Sequence, residues 1–307
     1  FAQVDVPLAS TFMLSTKADK EAYVQPVIEG NSYRFTVKVG KPKDAEGAMN
    51  GTKLSRGANF QCLMSNTPIA SAHIYGEANA GRMGARLMAI VAEGERGRVY
   101  LAPTPEMEAI ALTAQPTWKP EVAMPENPRW FSPPLYGLKT YGDLFTPRQL
   151  VALTTFSDLV HEARERVKHD VLAAGLPDDV KPLRDGGTSA TAYAEAVGVY
   201  LAFAVDKGSN YWSSLCSWHG GRDTVTSTFG RQALPMVWDF AEANPFSDSS
   251  GNYLAGVNQA ERQLLALPAE PTGNVQQADA AVQSVSADKL VSTDPPYYDN
   301  IGYADLS

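Results

Sequence analysis

Four residues late in the sequence, Asp294-Pro295-Pro296-Tyr297, put an acid, two prolines and an aromatic ring directly after the apolar start of Leu290-Val291-Ser292-Thr293. Those types in that order suit one reaction, transfer to the exocyclic amine of a nucleobase. Such an amine is a poor nucleophile because its lone pair is delocalised into the ring. The Asp294 carboxylate and the Pro295 backbone carbonyl supply two acceptors for its N–H bonds and so draw the lone pair toward a methyl donor. Consecutive prolines remove competing N–H donors and stiffen the turn, which keeps the carbonyl aimed into the site. Tyr297 adds a flat face on which an extruded base can stack, a contact of about 1–3 kcal/mol.

The elements that must position this tetrad are short. Residues 275–279 read as a strand after the turn Pro271-Thr272-Gly273, 281–287 as a helix and 290–293 as a second strand. The resulting β-α-β unit has an acid at the end of each strand. In an open parallel sheet, ligands collect outside the carboxyl ends of the strands, where Asp279 and Asp294 are both expected.

Upstream, 22–40 reads as a hairpin: Tyr33, Phe35, Val37 and Val39 alternate with Ser32, Arg34, Thr36 and Lys38 after the turn Glu29-Gly30-Asn31, so one face is buried and the other basic. Residues 1–112 are expected to be β-rich with a little helix. Six prolines between 113 and 141 exclude long helices and make 113–145 an extended connection. A helical region follows over 146–268. Thr146-Pro147-Arg148-Gln149 opens its first helix with a cap, a proline at the first helical position and a glutamine that can reach back, and Gly175 offers the stop. Further helices are expected over 190–207, 226–240 and 253–267. Asn244-Pro245-Phe246 imitates the tetrad loosely and reads as a helix end, and Trp212, Trp218 and Tyr211 read as core aromatics.

Composition narrows the classes. The formal net charge of -8 argues against a chain that coats nucleic acid non-specifically, although Arg34, Lys38, Lys41, Lys43, Lys53 and Arg56 form a local basic stretch. Arg82 and Arg86, beside Gly81 and Gly84, have the types to grip phosphates. Two cysteines, Cys62 and Cys216, are too few for a disulfide framework, and no motif here supports a metal site. No apolar run reaches membrane-spanning length and no secretory leader pattern is present, so a cytoplasmic protein without a membrane partner is expected.

The run from Ser292 to Ser307 resembles that of a domain-of-unknown-function family of bacterial and archaeal adenine-specific DNA methylases. The similarity extends through Gly81-Arg82-Met83-Gly84, Phe145-Thr146-Pro147-Arg148-Gln149-Leu150, Ala233-Leu234-Pro235-Met236-Val237-Trp238-Asp239 and Ala243-Asn244-Pro245-Phe246-Ser247. The resemblance implies an α/β fold, part of a Rossmann-like methyltransferase sheet whose core piece is 269–307, with the β-rich and helical regions as a large insert suited to target recognition. It implies S-adenosylmethionine as donor, Asp294, Pro295, Pro296 and Tyr297 as the catalytic tetrad, Asp279 as a contact to the donor's adenine, and DNA as partner, with other subunits of a modification or defence system possible. The family's Gly-rich donor motif has no match, so the chain is expected to be a fragment holding the acceptor half of the site. RNA, cytosine or a protein amide as acceptor, and a non-catalytic DNA- or partner-binding module, remain open alternatives.

Overall fold

The computed structural model describes residues 4–230, 233–267, 273 and 275–294, and these form a mixed α/β structure. In chain order the first elements are β1 (Met13–Ser15), β2 (Ala22–Glu29), β3 (Ser32–Val39), α1 (Ala45–Asn50), β4 (Lys53–Ser55), β5 (Asn59–Gln61), β6 (Pro68–Ile69) and α2 (Ser71–Asn79). There follow β7 (Ile90–Gly94), β8 (Gly97–Leu101), α3 (Pro105–Ala111), α4 (Pro147–Ala173), α5 (Ala190–Ser209), β9 (Trp218–His219), β10 (Thr224–Val225) and α6 (Tyr253–Ala266). Every strand pairing is antiparallel, in two sheets of three strands, β1-β2-β3 and β4-β5-β6, and two hairpins, β7-β8 and β9-β10.

The β2-β3 hairpin forms where the alternation places it, turning at Gly30 with φ 61°. Tyr33 and Phe35 face a core with Phe12, Ala22 and Val24, while Arg34, Thr36 and Lys38 take the other face. A second core gathers Phe60, Ile74 and Tyr136, with Trp238 edge-on to both Phe60 (4.8 Å) and Tyr136 (4.9 Å). Residues 113–145 run largely extended, broken by two 3-10 turns, and bury Met124, Phe131 and Leu144 against Leu215 and Leu234.

The helix start at Thr146 obeys its sequence rule: Gln149 N–H donates to Thr146 Oγ1 (3.3 Å) and Gln149 Oε1 accepts from Thr146 N–H (2.9 Å). Helix α4 packs on α5 and α5 on α6. Gly256 of α6 faces Ala204 so closely that a Cβ there would stand 3.1 Å from its backbone, which is why a glycine occupies that crossing. Fully buried Trp212 lies against Phe156 and anchors the next loop by donating its indole N–H to the Gly251 carbonyl (2.6 Å).

Two expected pieces differ. The described residues of 226–240, which leave out 231 and 232, are not a helix: they run as loop, with Thr226 N–H bonded to the Ser217 carbonyl, Phe240 bridged to Ser217, and Leu234 bridged to Phe131. Backbone pairing across distant segments outcompetes the local helical pattern. Nor do 275–294 form the expected β-α-β unit; among the described residues this stretch is turn and coil. A strand needs a ladder partner, and the described sheets all belong to residues before 226.

The α4–α5 connection stores strain. Val180, β-branched, sits at φ 57°, and Asp178 holds it there by accepting the Val180 N–H (3.1 Å), the Thr191 N–H (3.2 Å) and hydroxyl (2.7 Å), and the Lys168 ammonium (2.9 Å). The Thr191 hydroxyl first, then Lys168, hold the Asp178 carboxyl well below the usual carboxylate range. A lowered folded-state pKa contributes stability above the unfolded value of about 3.9, and that contribution fades as pH falls toward the folded value. The thermal midpoint of Asp178→Asn should therefore trail the native protein at neutral pH, with the gap closing below about pH 4. Because left-handed backbone costs about 1–2 kcal/mol for an L-residue and glycine's extra entropy about 0.5–1, Val180→Gly should raise stability by roughly 0.5–1 kcal/mol in urea unfolding; a loss would contradict the strain.

Candidate functional site

The stretch that carries the tetrad lies on the outside. Val275 is 98% exposed and Leu290 fully so, and Asp294 is exposed as well. Asp279 caps a turn: its carboxylate accepts the Ala281 N–H (2.8 Å) and its carbonyl the N–H groups of Val282 (3.3 Å) and Gln283 (3.0 Å). Pro295, Pro296 and Tyr297 lie outside the described residues. Asp279 and Asp294 thus do not end two neighbouring strands of one sheet among the described residues.

The two arginines meet acids of their own chain. Helix α2 stops at Gly81, φ 72°, and Arg82 turns back to lay a two-pronged bond on Glu77 (2.6 and 2.8 Å). Arg86 lies 5.2 Å over the Tyr33 ring and pairs with Glu108 at 3.3 Å; Glu108 also accepts the Leu87 N–H. The Glu108 hydrogen bond first, with its charge, holds Arg86 above its usual range. Both guanidinium groups are thus paired with a carboxylate of their own chain while remaining exposed.

What the fold does bring together is an ionic clamp that sequence spacing gave no reason to group. Asp223, in the β9–β10 turn at φ 54°, binds the Lys17 ammonium through Oδ2 and the Tyr100 hydroxyl through Oδ1 (3.1 Å), and its carbonyl accepts from Arg98 (3.4 Å). Arg98 also bonds Glu93 (2.8 Å) and the Ser249 hydroxyl. Burial pushes the Tyr100 phenol above its ordinary value. The partners stand 206 and 123 positions from Asp223, so no local motif contains them. The only sequence signal was an aspartate after Gly220-Gly221-Arg222, the composition of a tight hairpin turn.

Asn244-Pro245-Phe246 is a turn after extended chain, not a helix end: Asn244 Oδ1 accepts the Phe246 N–H (3.0 Å). Its proline carbonyl accepts the Tyr253 N–H at 2.9 Å. Two grooves open on the helices, one of about 480 Å³ beside Lys207, Asn252 and Arg262, the other of about 560 Å³ beside Phe156, Leu159 and Tyr253; neither contains Asp279, Asp294, Arg82 or Arg86.

Cys62 and Cys216 are both free thiols. Burial alone would raise the Cys62 thiol, but the Ser65 hydroxyl and the Ser65 and Met64 N–H groups outweigh it and hold it below its usual value. Cys216 is fully buried among Ser213, Thr228 and Asn210. Among the described residues, no cluster of three or more His, Cys, Asp or Glu could hold a metal ion, and no helix is long and apolar enough to cross a membrane. No protein-family model, curated protein or solved structure matches the chain.

Replacing Asp223 by Ala removes the partner of the half-buried Lys17 and Tyr100 side chains and leaves a Cβ residue without local side-chain support at positive φ. Asp223→Ala should cost about 1–3 kcal/mol in urea unfolding, and Asp223→Asn, which keeps hydrogen-bonding capacity and tolerates that backbone, distinctly less. Identical midpoints for the two variants would show that the clamp contributes nothing.

Proposed function

We propose that this chain carries the acceptor half of an S-adenosylmethionine-dependent methyltransferase acting on the exocyclic amine of adenine in DNA. The observation that carries this reading is the tetrad Asp294-Pro295-Pro296-Tyr297 itself, whose first member is exposed at the surface.

In this reading the target base leaves the duplex and stacks on Tyr297. Asp294 and the Pro295 carbonyl each accept one amine N–H, which localises the nitrogen lone pair perpendicular to the ring for direct attack. No covalent adduct with the protein is involved. Residues 275–279 and 290–293 take up strand pairing in a Rossmann-like sheet when set beside a donor-binding unit, which supplies the ladder partners that they lack among the described residues. The described residues do not themselves fit the donor. The Asp279 carboxylate caps a turn and neither groove includes it. That same observation favours, as a second reading, a non-catalytic DNA- or partner-binding module.

Transfer of a labelled methyl group from S-adenosylmethionine to DNA separates the two. Losing one acceptor of the amine at about 2–3 kcal/mol corresponds to a rate lower by about 30- to 150-fold in Asp294→Ala. Transfer at the native rate by that variant removes the proposed mechanism, and the complete absence of transfer by the native protein together with a donor-binding unit leaves the module.

A further inference from the structure

The outer face of the β2-β3 hairpin is the feature that the proposed reaction leaves unused. Alternation places Tyr33 and Phe35 in the core, so Arg34, Thr36 and Lys38 of β3 stand on the opposite face, registered against Val27, Gln25 and Tyr23 of β2. Lys41 and Lys43 follow directly after β3, where Gly40 N–H bonds the Glu21 carbonyl (2.7 Å) across the open end, next to Lys20. Lys20, Lys38, Lys41 and Lys43 are all exposed, and no ion pair engages them among the described residues. No acid occurs from Gly30 to Lys43. Of the acids at its borders, Glu29 is spent on Arg34 (2.6 Å) and Asp44 caps α1 through the Gly47 N–H (2.9 Å), which leaves Asp19 and Glu21 at the open end.

We infer that this face docks duplex DNA through its phosphates, with Lys38, Lys41 and Lys43 as the principal contacts, and that Arg82 and Arg86 do not. The inference rests on DNA being the target in the proposed function. Charge complementarity selects the partner: a chain of net charge -8 carries Lys38, Lys41 and Lys43 close together at the end of β3 and just beyond it, with no ion pair engaging them among the described residues. A single-stranded partner fits less well, because Tyr23 alone of the face is aromatic and base stacking needs a series of rings. Arg86 lies on the other side of the hairpin, against Tyr33.

The test is an anisotropy titration of a fluorescein-labelled DNA duplex with the full chain over a series of KCl concentrations, without methyl donor. Native protein and two triple variants are compared: Lys38→Gln/Lys41→Gln/Lys43→Gln, and Arg166→Gln/Lys181→Gln/Arg184→Gln, which removes the same charge from the exposed helical region. Three phosphate contacts predict that the first variant flattens the slope of log affinity against log salt by about 2.7 and the second leaves it unchanged. Equal slopes in all three proteins, an equal drop in both variants, or no binding by the native chain at low salt overturns the proposal. Tighter binding of a single-stranded DNA or an RNA duplex of the same sequence overturns the choice of duplex DNA. Lys38→Glu separates phosphate contact from protection of the β3 edge, since it keeps an edge charge but repels phosphate; native affinity in that variant assigns Lys38 to edge protection and overturns its role here. Because no methyl transfer is measured, binding that succeeds while transfer fails sinks the proposed reaction and leaves this face standing.

Discussion

The turn between β9 and β10 holds the first hundred residues to the rest of the chain. Trp218 donates its indole N–H to the Leu14 carbonyl at 2.6 Å, the Gly220 carbonyl accepts the Thr16 N–H at 3.2 Å, and Asp223 binds Lys17 and Tyr100. Among the described residues no sheet exceeds three strands, so ladder hydrogen bonds cannot tie remote segments together as they do in a large sheet. Side chain to backbone bonds take over that work. Thr52 does the same at the start of the chain, accepting the Ala9 N–H and donating to the Pro7 carbonyl. Each such bond is satisfied in a partly buried site, where leaving its groups unpaired costs more than forming it gains.

This manner of construction yields several small cores instead of one large one. The cores account for several segments late in the chain: Trp238 closes the Phe60–Tyr136 core, Leu234 and Val237 complete the next, and Arg148 joins α4 to Glu242 with a two-pronged pair at 2.6 and 2.9 Å. The motif at 243–247 is a structural turn that presents its proline carbonyl to α6. These segments shape the scaffold, whereas Asp294 stands outside it on a stretch whose apolar side chains Val275, Val282 and Leu290 remain exposed.

The charge distribution follows the same division. Arginines at 82, 86, 98 and 148 reach acids of their own chain, because a planar guanidinium makes directed bonds that brace loops. The lysines along and beyond β3 remain at the surface, where a hydrated ammonium on a flexible stem meets solvent. Lys17 and Lys168 brace loops as the arginines do, so position and not residue type separates them from the exposed lysines along and beyond β3.

Local rules were legible in the sequence wherever a few neighbouring residues settle the outcome: the alternation and Gly30 turn of β2-β3, the Thr146–Gln149 box and the apolar run of α5. The helix read over 226–240 failed because Ser217, Phe131 and Trp130 capture its backbone from far along the chain. The arginines read as phosphate grips met Glu77 and Glu108, and the second of these is 22 positions from Arg86. Spacing alone determined which residues could act, since side-chain chemistry and local turn geometry are written in adjacent letters. Which of them are already engaged, as Arg82, Arg86 and the Pro245 carbonyl are, only the tertiary structure decided, because a hydrogen bond or ion pair is made with whatever the fold brings within about 3 Å.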